Sequence, residues 1–395
     1  MSNTKVNVSE LTFEMTKKLR VYLAKLVKMG GSDLHIKSGA SVRGRVDGEI
    51  VSMGAHVLTH EEGITLAKEL LRTRFNELVE KKSIDFTYKL NEMYRFRVNL
   101  FFQVDGVSAV FRTIPSTLPT FESLMLPRVI ERFCNFSRGL VLVTGPTGSG
   151  KTTTLASMIN YINQHRKKHI ITIEDPVEYV YKDDHCIINQ RAIGQDALNF
   201  ADSLRAALRE DPDVILVGEM RDLETIETAI HAAETGHLVL STLHTVDAKE
   251  TINRIIGMFQ GSDQKRIKMS LSSVLQGVIS QRLVRTKTGG RMAAIEVMVK
   301  NARIENLILE GRDSEIPDAI KEGKEAYKSQ TFDQALLEMY AKGYISFQEA
   351  LNNATVPNDL KMQLDYHDAS IKKQQNKEGA DGEEDVDKDI LKLKL

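Results

Sequence analysis

Residues 145–152 read Gly-Pro-Thr-Gly-Ser-Gly-Lys-Thr, and this run constrains the chain more than any other feature. It fits the pattern G-x-x-x-x-G-K-[ST], follows the strand-like run Leu140 to Thr144 and precedes a helical pattern from Thr153 to Asn163. In that setting the glycines let backbone N–H groups converge on phosphate oxygens, and the helix start adds positive potential. Gly145, Pro146, Thr147, Gly148, Ser149, Gly150, Lys151, Thr152 and Thr153 are therefore the expected ATP-binding residues. Lys151 is expected to reach the β- and γ-phosphates, and Thr152 to ligate Mg²⁺.

The surrounding pattern fits such a loop. Short apolar runs at 139–144, 170–173, 214–217 and 238–242 alternate with helical patterns, which predicts a parallel α/β sheet. Upstream, 11–29 predicts an amphipathic helix and 34–50 a hairpin turning at Asp47-Gly48. A further helix is predicted at 61–81, and strands at 94–102 and 107–114. Residues 1–114 thus read as a small α+β domain and 115–120, with Pro115 and Pro119, as a linker. Residues 121–300 read as the ATPase core and 301–366 as a helical region. The polar tail 367–395, acidic between Asp381 and Asp387, is expected to be disordered.

At 395 residues two or more domains are expected. A net charge of −1 gives no reason to expect a nucleic-acid partner. Cys134 and Cys186 are too few for a disulfide framework and suit a reducing compartment. No apolar run approaches the roughly 18 residues of a membrane span. A cytoplasmic protein is expected, touching a membrane only through a partner.

Hydrolysis needs a carboxylate near the phosphates. Two strand ends offer one: Ile171-Thr172-Ile173 runs into Glu174, and Val214 to Val217 runs through Gly218 into Glu219. C-terminal strand ends gather at the ligand-binding edge of a parallel sheet, so both carboxylates are expected to face the loop. Glu219 is assigned as the water-activating base and Glu174 as a second acidic group. His237 and His244 bracket the 238–242 strand. Each can sense a γ-phosphate or serve as a satisfied structural residue. On spacing alone, Arg97 and Arg112 read as strand arginines capping a solvated face.

The order of these segments resembles the secretion ATPase family, and within it the retraction motors of type IV pili, the PilT/PilU type. The segments are Gly145 to Thr152, Thr172-Ile173-Glu174-Asp175-Pro176-Val177-Glu178-Tyr179, Leu208 to Asp222, and Ala233-Glu234-Thr235-Gly236-His237 through Leu243-His244-Thr245. They match that family's Walker A, Asp, Walker B and His boxes in order. Gly30-Gly31-Ser32-Asp33-Leu34-His35 matches as well.

The resemblance implies a homo-hexameric ring of subunits, each with a PAS-like α+β N-terminal domain and a RecA-like α/β P-loop domain followed by helices. It implies that Arg97 and Arg112 act as arginine fingers in a neighbouring subunit's site, and that His237 and His244 sense the γ-phosphate. It further implies ATP-driven pilus retraction acting on the inner-membrane platform protein, from the cytoplasmic face. The large extra N-terminal domain and four-cysteine insert usual in assembly and type II secretion relatives are absent from this sequence. That favours retraction over those alternatives, and the intact phosphate loop with Glu219 argues against a nonhydrolysing scaffold.

One departure stands out. The retraction type carries Ala-Ile-Arg-Asn-Leu-Ile where this chain has Arg303-Ile304-Glu305-Asn306-Leu307-Ile308. The sequence leaves open whether the chain is a principal motor or the accessory partner of a paralogous one.

Overall fold

The computed structural model describes residues 11–91, 93–114 and 117–371. Pro115, Ser116 and everything beyond Ile371 lie outside it, so the first part of the expected linker and most of the expected tail do too. Residues 357–371 form a helix, which extends the helical region past the expected boundary at 366.

Two compact units emerge, and neither is continuous in sequence. One takes the chain as far as Leu118 together with Ile162–Gly218. The other takes Pro119–Tyr161 together with the chain from Glu219 onward.

The first unit opens with the helix Glu14–Lys28, whose Met15, Leu19, Leu23 and Leu26 form its buried stripe. A six-stranded sheet follows: β1 (Asp33–Lys37), β2 (Ser41–Val46), β3 (Glu49–Val57), β4 (Ser83–Lys89), β5 (Arg95–Gln103) and β6 (Gly106–Ile114). The order is β3-β2-β1-β6-β5-β4 and every pairing is antiparallel. The turn at Asp47-Gly48 is there, but it joins β2 to β3; the predicted hairpin is a three-stranded meander. Phe96, Val98 and Leu100 alternate into the core that also holds Leu19, Leu23 and Phe111. The single helix expected over 61–81 is two, His60–Leu71 and Phe75–Lys81. Arg72, with φ 53°, breaks it and re-aims the chain so that Phe75 and Leu78 are buried. The same unit contains three parallel strands, β8 (His169–Glu174), β9 (Ile187–Ala192) and β10 (Val214–Val217), in the order β10-β8-β9.

The second unit contains β7 (Gly139–Thr144), β11 (Leu238–Leu243), β12 (Leu275–Arg285) and β13 (Arg291–Val299), in the order β13-β12-β7-β11. β11 and β12 run parallel to β7, and β13 closes an antiparallel hairpin with β12. All six residues of β7 are buried, as expected of a strand covered on both faces. A separate core around Val284, Phe332, Leu336, Ile345, Leu360 and Leu364 holds the C-terminal helices to the β12–β13 hairpin.

The predicted fold class is the one found: an antiparallel N-terminal sheet domain, then a mixed, mostly parallel sheet with helices. The departing segment lies on the helix Ala302–Glu310, which buries Ile304, Leu307 and Ile308. Arg303 pairs with Glu322, and Lys300 stands 3.4 Å from Glu305, so both changed positions are engaged within the chain.

Candidate active site

β7 delivers the chain into the loop 145–150, and the helix Lys151–His165 begins directly after it. Gly145 has φ 141°, and a Cβ there would stand 2.4 Å from the Gln281 carbonyl oxygen on β12. Only glycine fits, because backbone cannot yield as a flexible side-chain tip can. The first-turn N–H groups of the helix and its positive dipole end belong to the same loop. Lys151 folds back into the loop: its Nζ donates to the carbonyl oxygens of Gly145 (2.8 Å) and Pro146 (3.1 Å). Burial lowers the Lys151 pKa, while the charge of Glu219 acts to raise it. Ser149 Oγ is buried and has no hydrogen-bond partner among the described residues. Thr152 and Thr153 are half-buried on the first turn of the helix.

Glu219 is 19% exposed. Its Oε2 stands 2.8 Å from Arg221 Nε and 3.6 Å from His244 Nε2. The other ring nitrogen of His244 lies 3.5 Å from Thr147 Oγ1. His244 therefore spans from the phosphate loop to the carboxylate, and the parallel pairing of β11 with β7 puts it there: Leu243 is opposite Thr144, so His244 and Gly145 leave the sheet side by side.

The same register sends His237 the other way. Leu238 is opposite Gly139, so His237 precedes β11 and sits at the far edge, about 20 Å from His244 by strand rise. Its ring Nδ1 is 2.9 Å from the Ala232 carbonyl oxygen. The structure brings His244, and not His237, to the phosphate loop of its own chain.

Glu174 ends β8 and is 5% exposed. It accepts hydrogen bonds from Thr172 Oγ1 (2.7 Å) and Gln190 Nε2 (3.3 Å). Burial outweighs these bonds and pushes its carboxyl up to about 7. A folded-state value above the unfolded one means that the resulting stability is fully present below about 4.5 and is lost as pH rises through about 7. Glu174→Gln removes this dependence while keeping an acceptor. Its stability relative to wild type should rise by about 2 kcal/mol between pH 5.5 and 8.5, read by chemical denaturation. A pH-independent difference would mean that Glu174 is ionised throughout.

Arg97 on β5 and Arg112 on β6 are directly opposite, and the row continues through Asp33 to Arg45. Like charges facing each other across a sheet are unfavourable unless an anion lies between or above them. Arg112 Nε donates to Asp33 Oδ1 at 2.8 Å, yet its side chain remains 68% exposed. Burial would raise the Asp33 pKa, but hydrogen bonds from Arg112 and Ser32 hold it below the usual carboxylate value. Arg97 is 3.8 Å from Glu178.

Two participants were not singled out from the sequence. Arg221 grips Glu219, and Gln281 Nε2 donates to Thr154 Oγ1 at 2.9 Å behind the loop. An open cavity of about 530 Å³ flanks the loop, lined by Pro146, Thr147, Gly148, Ser149, Arg282 and Arg291, among others.

A glycine loop between a buried strand and a helix, an internal lysine, and a carboxylate and a histidine that follow two other strands and pair beside the loop define a P-loop ATPase. The chain belongs to the type II/IV secretion system protein family, whose model matches residues 13–352. It is 46% identical to the type IV pilus retraction ATPase PilT of Pseudomonas aeruginosa, over 86% of this chain and 98% of that protein. It is 38% identical to the type IV pilus ATPase PilU of the same organism, over 86% and 89%. A crystal structure of the pilus retraction motor PilT with bound ADP superposes with a TM-score of 0.81, at 43% identity over 87% of this chain and 99% of that one. The chain is thus a PilT-like ATPase of this family.

Proposed function

We propose that this chain is the subunit of a homo-hexameric motor that retracts type IV pili, drawing on ATP at the cytoplasmic face of the inner membrane and acting on the pilus platform protein. The observation that carries the reading is Lys151, Glu219 and His244 meeting at one phosphate loop, in a chain alignable with nearly all of a retraction ATPase. Among the described residues no helix is long and apolar enough to cross a membrane, which suits work through a membrane partner.

In this reading Lys151 leaves the loop carbonyls for the β- and γ-phosphates. Glu219 orients the attacking water, and His244 reports the γ-phosphate to it. The charge that develops on the leaving phosphate is met by Lys151 together with Arg97 and Arg112 of a neighbouring subunit, and with the bound Mg²⁺ this electrostatic stabilisation is the largest contribution to the rate. Among the described residues no three His, Cys, Asp or Glu side chains gather as a metal site. Mg²⁺ needs none, since it commonly takes one or two protein oxygens plus phosphates and water, and the Thr152 hydroxyl on the first turn fits that sparse set. When bound, the ion neutralises phosphate charge.

Pilus imaging in a strain carrying Glu219→Gln tests the function. Long pili that extend and never withdraw are expected; retraction at wild-type frequency would remove the proposal, and bald cells would point to assembly instead. One observation favours the accessory reading: Arg303 and Glu305 depart from the retraction motif and are paired within the chain. An accessory subunit would retract pili only in the presence of a paralogous motor.

A further inference from the structure

β13 is an apolar strand with a carboxylate at its centre. Glu296 is 6% exposed and lies among Ala294, Ile295, Val297 and Met298, all buried. A buried carboxylate costs several kcal/mol unless its environment compensates. Burial indeed pushes this one up to about 7. No step of the reaction uses it.

Its partners place it at the edge of the site. Glu296 Oε1 accepts the Ala248 N–H at 2.9 Å and the Ser280 hydroxyl at 3.4 Å. Ser280 Oγ in turn accepts from Thr144 Oγ1 at 3.1 Å. The register explains this chain of bonds. Glu296 is opposite Ser280, Ser280 is opposite Thr144, and Thr144 is opposite Leu243. One cross-strand row thus runs β13-β12-β7-β11 at the level where β7 gives way to Gly145 and β11 to His244.

Ala248 is the first residue of the helix Ala248–Gly257, so Glu296 also occupies the favourable end of a helix dipole. The four residues His244–Asp247 are therefore tied at both ends to the same row: at Leu243 by the sheet ladder and at Ala248 by Glu296. Inside this short span the Thr245 and Thr251 hydroxyls meet at 2.6 Å, and Val246 N–H donates to Glu250. His244, at its start, is the residue that spans Thr147 and Glu219.

We propose that Glu296 is a positioning residue for catalysis: by holding Ala248 to the Thr144–Ser280 row, it fixes the His244 segment against the phosphate loop. This rests on the reading of His244 as part of the active site. Glu296 touches no nucleotide in this scheme, and its effect is transmitted entirely through the placement of His244.

The test is a double-mutant cycle on the purified full-length assembly, read as steady-state ATPase kinetics. Glu296→Leu should lower kcat about 10–100-fold, the scale of a displaced catalytic group, with KM for ATP changed less than about threefold. Glu296→Gln, which retains an acceptor for Ala248, should recover most of the loss. In a His244→Ala background Glu296→Leu should have almost no further effect, because there is no histidine left to place. Equal losses from Glu296→Leu with and without His244 would overturn the proposal, as would a Gln variant no better than Leu. If His244→Ala itself leaves kcat unchanged, the reading of His244 fails first, and the proposal with it. Should the leucine variant not assemble, Ser280→Ala, which cuts the link from Glu296 to Thr144, replaces it in the same cycle: a loss that vanishes in the His244→Ala background supports the proposal, and an equal loss in both backgrounds overturns it.

Discussion

Glu219→Gln binds ATP as wild type does and turns it over at least about a hundredfold more slowly, the loss expected when a general base is removed. The substitution suits this side chain. Glutamine keeps its length and can still accept from Arg221, which now holds Oε2 at 2.8 Å. What it loses is the negative charge and the capacity to take a proton. Lys151 and the loop glycines are untouched, so affinity for a fluorescent ATP analogue should stay within about threefold while phosphate release collapses. Turnover within a few fold of wild type would move the base elsewhere, with Glu174 the next carboxylate to test. The Arg221 side chain in that pair is 70% exposed.

The parts of the site that could be read from the sequence are those whose geometry is local. The loop 145–152 carries its own signal, with Gly145 at φ 141° and Lys151 folded back onto the Gly145 and Pro146 carbonyl oxygens. Glu219 and His244 could be read because each follows an apolar strand, and C-terminal strand ends share an edge. His237 shows where that reasoning slips. It stands in the same box as His244, but six strand residues separate them and carry them to opposite edges.

Partners distant in sequence were not legible. Nothing near Glu296 names Ala248, 48 residues earlier, or Ser280. The one available signal was a single carboxylate inside the apolar run Ala-Ala-Ile-Glu-Val-Met-Val. In the fold, β4 carries the alternation Ile84, Phe86 with both buried, but it begins two residues after a helix and those two are its only buried residues, too short a pattern to stand out. β9 is an edge strand with exposed Ile187 and polar Asn189, Gln190 and Arg191, so its composition hides it.

The arginine assignment illustrates the limit of spacing. A separation of fifteen positions between Arg97 and Arg112 suggests nothing by itself, and the antiparallel register makes them direct neighbours. Of the two, Arg97 is the better residue to remove. Arg112 neutralises Asp33, which is 5% exposed, and losing it would leave a buried carboxylate unpaired. Among the described residues the ion pair of Arg97 is the 3.8 Å contact with Glu178. An arginine finger contributes about 10³–10⁵ in rate, so Arg97→Ala should be nearly inactive alone, as should Lys151→Ala.

Co-purified rings of these two variants, mixed in equal amounts and assayed for ATP hydrolysis, test the central claim most directly. If one subunit supplies the loop and its neighbour the arginine, an intact site forms wherever an Arg97→Ala subunit's loop meets a Lys151→Ala subunit's arginine. Random assembly then restores activity at roughly a quarter of the interfaces. Mixed rings as inactive as either parent would contradict the account.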